Sequence, residues 1–89
     1  MSIYGRGSGR IRLYALSTCI WCRKTKELLE RLRVDYDLYH VDLLEGDARQ
    51  QVVDELRRYN PRGSYPTLVK DDEVVVGFDE ARIREVLGI

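Results

Sequence analysis

Polar and apolar residues alternate from Arg10 through Tyr14, and the stretch closes in an apolar run, Leu13-Tyr14-Ala15-Leu16. Alternation passing into a continuous run suits a central strand, so Arg10–Leu16 reads as the first strand. From Arg23 to Arg33 the period changes: Thr25, Leu28, Leu29 and Leu32 share one stripe, with Lys24, Glu27 and Arg31 largely opposite. That is an amphipathic helix, and Ser17 or Thr18 is its candidate N-cap. Val34–Asp42 reads as a second strand, in which Tyr36, Leu38 and His40 alternate with Asp37, Tyr39 and Val41. Aromatics stand in both phases, so the alternation leaves the inner face of this strand open. Two strands joined through a helix predict a right-handed parallel βαβ unit.

Leu44-Glu45-Gly46-Asp47 reads as the turn into a second helix, with Asp47 as candidate cap and Ala48, Val52, Val53 and Leu56 as its apolar stripe. This helix is expected to stop near Tyr59, because Asn60-Pro61-Arg62-Gly63-Ser64 is dense in breakers. Tyr65–Lys70 reads as a third strand with a proline near its start, Asp71-Asp72 as a tight turn, and Glu73–Val76 as a fourth strand hairpinned to the third. Gly77-Phe78-Asp79 leads into a last short helix whose apolar positions are Ala81, Ile83, Val86 and Leu87. The order β-α-β-α-β-β-α predicts a single α/β domain over residues 10–89. Residues 1–9, with glycines at positions 5, 7 and 9, read as a flexible lead-in.

Composition narrows the class. Eighty-nine residues make one domain, and 44% hydrophobic with 34% charged residues is the balance of a soluble globular protein. The formal net charge is zero, which removes a bulk electrostatic case for nucleic acid or an anionic membrane. The charges are unevenly placed: seven basic and two acidic residues lie in Arg10–Arg33, and five acidic residues with no Lys or Arg lie in Val34–Asp47. A basic zone there suits anionic partners, or is an ordinary solvated surface. The apolar runs are far shorter than a membrane span, and the N-terminal residues lack the apolar region of a signal peptide. A cytoplasmic location is therefore expected, where a cysteine pair is more often catalytic than structural.

The chemistry concentrates in Ser17-Thr18-Cys19-Ile20-Trp21-Cys22-Arg23-Lys24, which holds both cysteines of the chain as Cys-x-x-Cys between strand and helix. A helix N-terminus carries unpaired N–H groups and about half a positive charge, which favours a thiolate over a thiol. Such settings bring a cysteine pKa from about 8.5 into the range of roughly 3.5–7.5. The expectation is a thiol–disulfide redox site in which Cys19 attacks and Cys22, one helical turn inward, resolves. Zinc is the competing use of such a motif. Structural zinc takes four ligands, and Cys19, Cys22 and His40 are the whole Cys and His inventory, so only a site shared between subunits would remain. No metal is assigned. His40, a single copy on a strand, reads as a structural or surface residue rather than a catalytic base.

With Cys-x-x-Cys opening the first helix, proline opening the third strand, and Gly77-Phe78-Asp79 before the last helix, the chain resembles a glutaredoxin or glutaredoxin-like redoxin, on a thioredoxin-like fold. The resemblance spans about residues 10–87. It implies a four-stranded mixed sheet flanked by helices, a cis Pro66 beside the cysteines, and a Tyr65 backbone that pairs with a substrate peptide. It further implies that glutathione is held by a basic residue three positions before the first cysteine, by the residue before the proline, and by a Gly-Gly-x-Asp turn. Two of those positions depart, being Leu16 and Val76, while Gly77, Phe78 and Asp79 remain. The position after the first cysteine, proline in typical glutaredoxins, is Ile20, and Trp21 stands where tyrosine is usual. Trp21 reads as a partly exposed platform for the partner's peptide, and Tyr14 as packing beneath the site. Arg57, Arg58 and Arg62 near the proline loop could reach a ligand carboxylate, or are ordinary helix-end cations.

The implied activity is dithiol oxidoreduction of protein or glutathione mixed disulfides by a monomer with no bound cofactor. Glutathione is one candidate co-substrate, and a thioredoxin-reductase-type flavoprotein is the other candidate source of electrons. The alternative is a metal or iron–sulfur cluster carrier that bridges a dimer through Cys19, against which the bulky Ile20 and the second cysteine argue.

Overall fold

The structure, a computed structural model, describes residues 10–89. The lead-in expected over residues 1–9 lies outside the described residues. In chain order the elements are β1 (Ile11–Ala15), α1 (Ile20–Arg31), β2 (Asp37–His40), a 3-10 turn (Val41–Leu43), α2 (Gly46–Tyr59), β3 (Thr67–Lys70), β4 (Glu73–Val76) and α3 (Glu80–Leu87). The four strands form one mixed sheet in the order β2-β1-β3-β4. β1 runs parallel to β2 (Leu13 opposite Leu38) and antiparallel to β3 (Leu13 opposite Leu68), while β3 and β4 close a hairpin (Leu68 opposite Val75). This is the α/β domain that the element order predicts, in the thioredoxin-like arrangement that the resemblance implies.

The central β1 is buried on both faces, and its period of two sorts its side chains between two cores. Leu13 and Ala15 join Cys22, Leu28 and Leu29 of α1 and Ile83 and Val86 of α3 in the larger cluster. Tyr14 points the other way, into a smaller cluster with Leu56 of α2 and Val69 of β3. Tyr14 therefore does not pack beneath the cysteines as the sequence reading has it; it lies across the sheet from Cys22. The open question of β2 is settled by the same division, with Tyr36 and Leu38 against the larger cluster and Tyr39 against the smaller one.

Element ends differ from expectation for local reasons. The N-cap of α1 is Cys19 itself, not Ser17 or Thr18: its backbone is extended, and its sulfur accepts the Cys22 N–H. The C-cap is Leu32, and Arg33 takes a positive φ of 57°, so the helix stops short of Arg33. β2 is shorter than Val34–Asp42, because Val41–Leu43 turns into a 3-10 segment whose Asp42 is bound to Ser17. In α2 the N-cap is Glu45, and Asp47 sits one residue into the helix as a first-turn acid. Ala48 and Ala81, expected on apolar stripes, face solvent. Tyr65 and Pro66 precede β3 rather than form part of it, and their peptide bond is cis.

Candidate functional site

The site is assembled at the carboxyl end of β1, where the loop Leu16–Cys19 feeds α1. Two bonds shape that loop. The Cys19 N–H donates to the Leu16 carbonyl (3.2 Å), and Asp42, arriving from the end of β2, accepts from the Ser17 N–H (2.8 Å) and from its hydroxyl. These contacts hold the Asp42 carboxyl below the usual carboxylate range, first through the Ser17 hydroxyl and then through its N–H. The sequence reading passed over Asp42, because a lone acid at a strand end carries no local signature.

The two thiols stand in different surroundings. Cys19 is partly exposed, and its Sγ accepts the Cys22 backbone N–H at 3.2 Å. Cys22, one turn along, is only 3% exposed and packs in the larger core. Burial pushes the Cys22 thiol up to about 12, and the hydrogen bond with the Cys19 sulfur adds to the shift. Both cysteines are free in this structure. The arrangement presents one accessible sulfur backed by a protonated, desolvated one.

Trp21 and Phe78 meet face to face, linking the start of α1 to the turn before α3. Their rings stack with centroids 6.1 Å apart, and the Lys24 ammonium lies 5.9 Å from the Trp21 ring centre. Trp21 is 54% exposed, as a surface platform requires, and Ile20 (57%) and Val76 (53%) extend the apolar rim. Tyr65 and Phe78 pack against the same cluster as Cys19 and Cys22, so the structure brings Cys19, Cys22, Trp21, Tyr65, Pro66, Gly77 and Phe78 to one end of the sheet. The Gly77 N–H donates to the Pro66 carbonyl (2.8 Å), which ties the β4 exit to the proline loop. Gly77 has φ of +84°, and a Cβ there would meet nothing within 4 Å, so the position calls for glycine through its backbone angle rather than through close approach. Asp79 is the N-cap of α3, its Oδ1 accepting the Arg82 N–H at 3.1 Å.

Of the three arginines singled out near the proline loop, Arg57 reaches the site's flank: its charge, with that of Arg49, acts on the Tyr65 hydroxyl against the upward push of burial. Arg49 was not singled out, although it lies two turns before Arg57 on α2. The proline loop itself is anchored by Asn60, read from sequence only as a breaker. This buried side chain donates to the Ser64 and Thr67 hydroxyls at 3.0 Å each, and Thr67 donates to the Ser64 carbonyl at 2.8 Å. Beside the thiols a cleft of about 160 Å³ is lined by Ser17, Cys19, Cys22, Arg23, Lys26 and His40 among others. Among the described residues no group of three or more His, Cys, Asp or Glu is placed to hold a metal ion. Among the described residues no helix is long and apolar enough to cross a membrane.

Residues 11–75 match the glutaredoxin family model. The chain belongs to the glutaredoxin family. It is 31% identical over 77 residues to the glutaredoxin-like 8.6 kDa protein in the rubredoxin operon of Clostridium pasteurianum, covering 86% of this chain and 96% of that one. Its structure is similar to the glutaredoxin of Methanosarcina mazei (TM-score 0.85, 51% identity, 91% of this chain and 80% of that one). It is also similar to the methanoredoxin of Methanosarcina acetivorans (TM-score 0.86, 48% identity, 91% and 86% covered).

In this glutaredoxin several weak acids are held protonated by the fold. Besides Cys22, burial raises Tyr36 to about 12 and raises Tyr14 and Tyr65 above the ordinary phenol value. The unfolded chain releases these protons at ordinary values, about 8.5 for thiol and 10 for phenol. Below about pH 8.5 both states keep the protons and these groups leave stability flat. As pH rises from there towards about 12 the unfolded state ionises first, so stability falls. Melting temperature measured against pH is expected to be level through neutrality and to decline above about pH 8.5. In the same samples at pH 8, iodoacetamide should label Cys19 alone until the protein is unfolded, and rapid double labelling of the folded protein would contradict the assignment.

Proposed function

We propose that Cys19 and Cys22 are the redox pair of a dithiol thiol–disulfide oxidoreductase that reduces protein or glutathione mixed disulfides. The observation that carries this reading is the pairing of an accessible helix-cap sulfur on Cys19 with a buried thiol on Cys22 that donates its backbone N–H to that sulfur. As a thiolate, Cys19 attacks a partner disulfide, forms a mixed disulfide and expels one partner thiolate. Cys22 then gives up its proton and attacks the Cys19 sulfur, closing a Cys19–Cys22 disulfide and releasing the second thiolate. Two electrons pass to the partner, and a reductant must return them. No resident cofactor is needed.

Trp21, Tyr65, Pro66, Gly77, Phe78 and Asp79 are proposed as the partner-binding rim. The stacked Trp21–Phe78 pair gives an apolar surface for the residues that flank a disulfide, and Ile20 and Val76 enlarge it. Glutathione and a thioredoxin-reductase-type flavoprotein are the two candidate reductants. Leu16 and Val76, which replace a basic residue and a glycine of the family's glutathione-binding pattern, favour the flavoprotein. The protein is proposed to act as a monomer in the cytoplasm, without nucleic acid or membrane.

The test is reduction of one disulfide substrate in two arms, one recycled by glutathione with its reductase and one by a thioredoxin reductase with NADPH. The expected result is turnover in the flavoprotein arm at least about tenfold above the glutathione arm, a difference of about 1.4 kcal/mol in transition-state stabilisation. Equal or greater turnover with glutathione would show that Leu16 and Val76 leave the glutathione site intact. Silence in both arms would overturn the redox reading and return attention to metal carried between two Cys19 sulfurs.

A further inference from the structure

Resolution makes a demand that the cysteine pair does not meet by itself. Cys22 must become a thiolate to attack the mixed disulfide on Cys19, yet its surroundings hold the proton. Burial, the largest cause of the upward shift, persists when Cys19 carries the partner, so the Cys22 thiol still resists ionisation. The thiol needs a base within reach, and the cleft beside it contains one. The cleft of about 160 Å³ is lined by Cys22 and Cys19 from one side and by His40, at the end of β2, from the other. That volume holds a water, whose share of the liquid is about 30 Å³.

His40 is the only histidine of the chain. The other polar residues lining the cleft are poor proton acceptors at neutral pH: Arg23 and Lys26 are cations and Ser17 is a hydroxyl. Asp42, whose charge acts on both Cys22 and His40, is occupied by Ser17 and held below the usual carboxylate range, which makes it a weak base. The charged groups around the cleft are thus Arg23 and Lys26 of α1, which line it together with His40 and the two thiols, and the Asp42 carboxylate, on which His40 acts electrostatically. A histidine is the side chain whose ordinary titration lies between about pH 5 and 8, the range in which a general base works best.

We propose that His40 is the proton acceptor for the resolving cysteine, taking the Cys22 Sγ proton through solvent in the shared cleft as Cys22 attacks Cys19. The inference rests on the redox reading above. In the step, the Cys22 S–H bond breaks, its electron pair forms the Cys19–Cys22 bond, and the Cys19–partner S–S bond breaks. The partner leaves as a thiolate, and His40 becomes an imidazolium facing Asp42. In the reverse direction His40 returns the proton to Cys22. The first step, attack by Cys19, uses neither His40 nor its proton.

The two steps separate in a single-turnover reaction with a symmetric, uncharged aryl disulfide whose released thiolate is coloured. Attack by Cys19 releases the first equivalent and resolution by Cys22 releases the second. In His40→Gln the first phase is expected to stay within about twofold of wild type, while the second slows by at least about tenfold at pH 7. Added imidazole should restore the second phase of the variant and leave that of wild type unchanged. Matching second phases in both proteins would overturn the role of His40 with the redox pair still standing. Equal slowing of both phases would also overturn it, since that is what a merely structural histidine produces. Cys22→Ser serves as the control for the underlying reading: it should release one equivalent only, and a second equivalent, or no release from wild type, would refute the redox pair itself.

Discussion

Cys19→Ser is expected to remove disulfide turnover entirely, a loss on the order of 10³-fold or more, because a hydroxyl at this pH is not a nucleophile towards a disulfide. The position has no substitute. Cys22 is buried and keeps its proton, so it cannot take over attack on an external disulfide. Cys22→Ser should behave differently. Cys19 keeps its place at the helix N-cap, where a backbone N–H donates to its sulfur, and it still forms the mixed disulfide. Nothing then displaces the partner, so the covalent adduct accumulates in amounts equal to the protein and is visible by mass spectrometry. Steady-state turnover and intact mass for the two variants, measured together, check the assignment of roles. A Cys19→Ser protein that still turned over, or an adduct on Cys22, would reverse it.

The largest expected loss of stability lies on the other face of the sheet. Arg12, 8% exposed, places Nη1 3.3 Å from Glu55 Oε2 and donates from Nη2 to the Tyr59 hydroxyl at 3.2 Å, with its guanidinium 5.0 Å from the Tyr59 ring centre. Tyr14 donates to Glu55 Oε1 at 2.6 Å. Glu55 therefore satisfies two groups that burial has stripped of water. Removing one partner of a buried ion pair costs about 3–5 kcal/mol when both are fully buried. The Glu55 side chain is 32% exposed, so water relieves part of that, and Glu55→Ala is expected to cost about 2–3 kcal/mol. For a domain of this size that lowers the melting temperature by roughly 10–20 °C. Glu55→Gln keeps an oxygen for the Tyr14 hydroxyl and gives up only the charge, so about half that loss is expected. Urea unfolding midpoints at unchanged slope measure both; equal losses for the two variants would show that the charge, not the acceptor, matters.

These two regions differ in how far they were legible beforehand. The hairpin was read to the residue for β4, Glu73–Val76, because a run of valines behind two aspartates leaves few registers open. The cysteine pair was legible because both its spacing and its place between strand and helix are local facts. The Arg12–Glu55–Tyr14 group was not, since Arg12 read as the polar half of an alternation, and its partner lies 43 residues away, at a distance that no local pattern encodes. Tyr14 was placed on the wrong side for a related reason. When a central strand is covered on both faces, alternation says that neighbours diverge but not which core each one enters. Caps were misjudged where the chain used an unusual one: a cysteine sulfur for α1, and Glu45 without a side-chain bond for α2. Asp42 and Asn60 escaped notice because each acts through a loop closed by the fold, and Arg49 because a single cation on an exposed helix face resembles any other.

The measurement that tests the central claim most directly is an equilibrium redox titration of the wild-type protein against a dithiol–disulfide buffer, read by intact mass at two protein concentrations. A Cys19–Cys22 pair predicts a reversible two-electron couple, with a tenfold change in the oxidised-to-reduced ratio for about every 30 mV, a mass lower by two hydrogens, and a midpoint independent of protein concentration. Absence of a reversible couple, or a midpoint that moves with concentration through a disulfide between chains, would contradict the account.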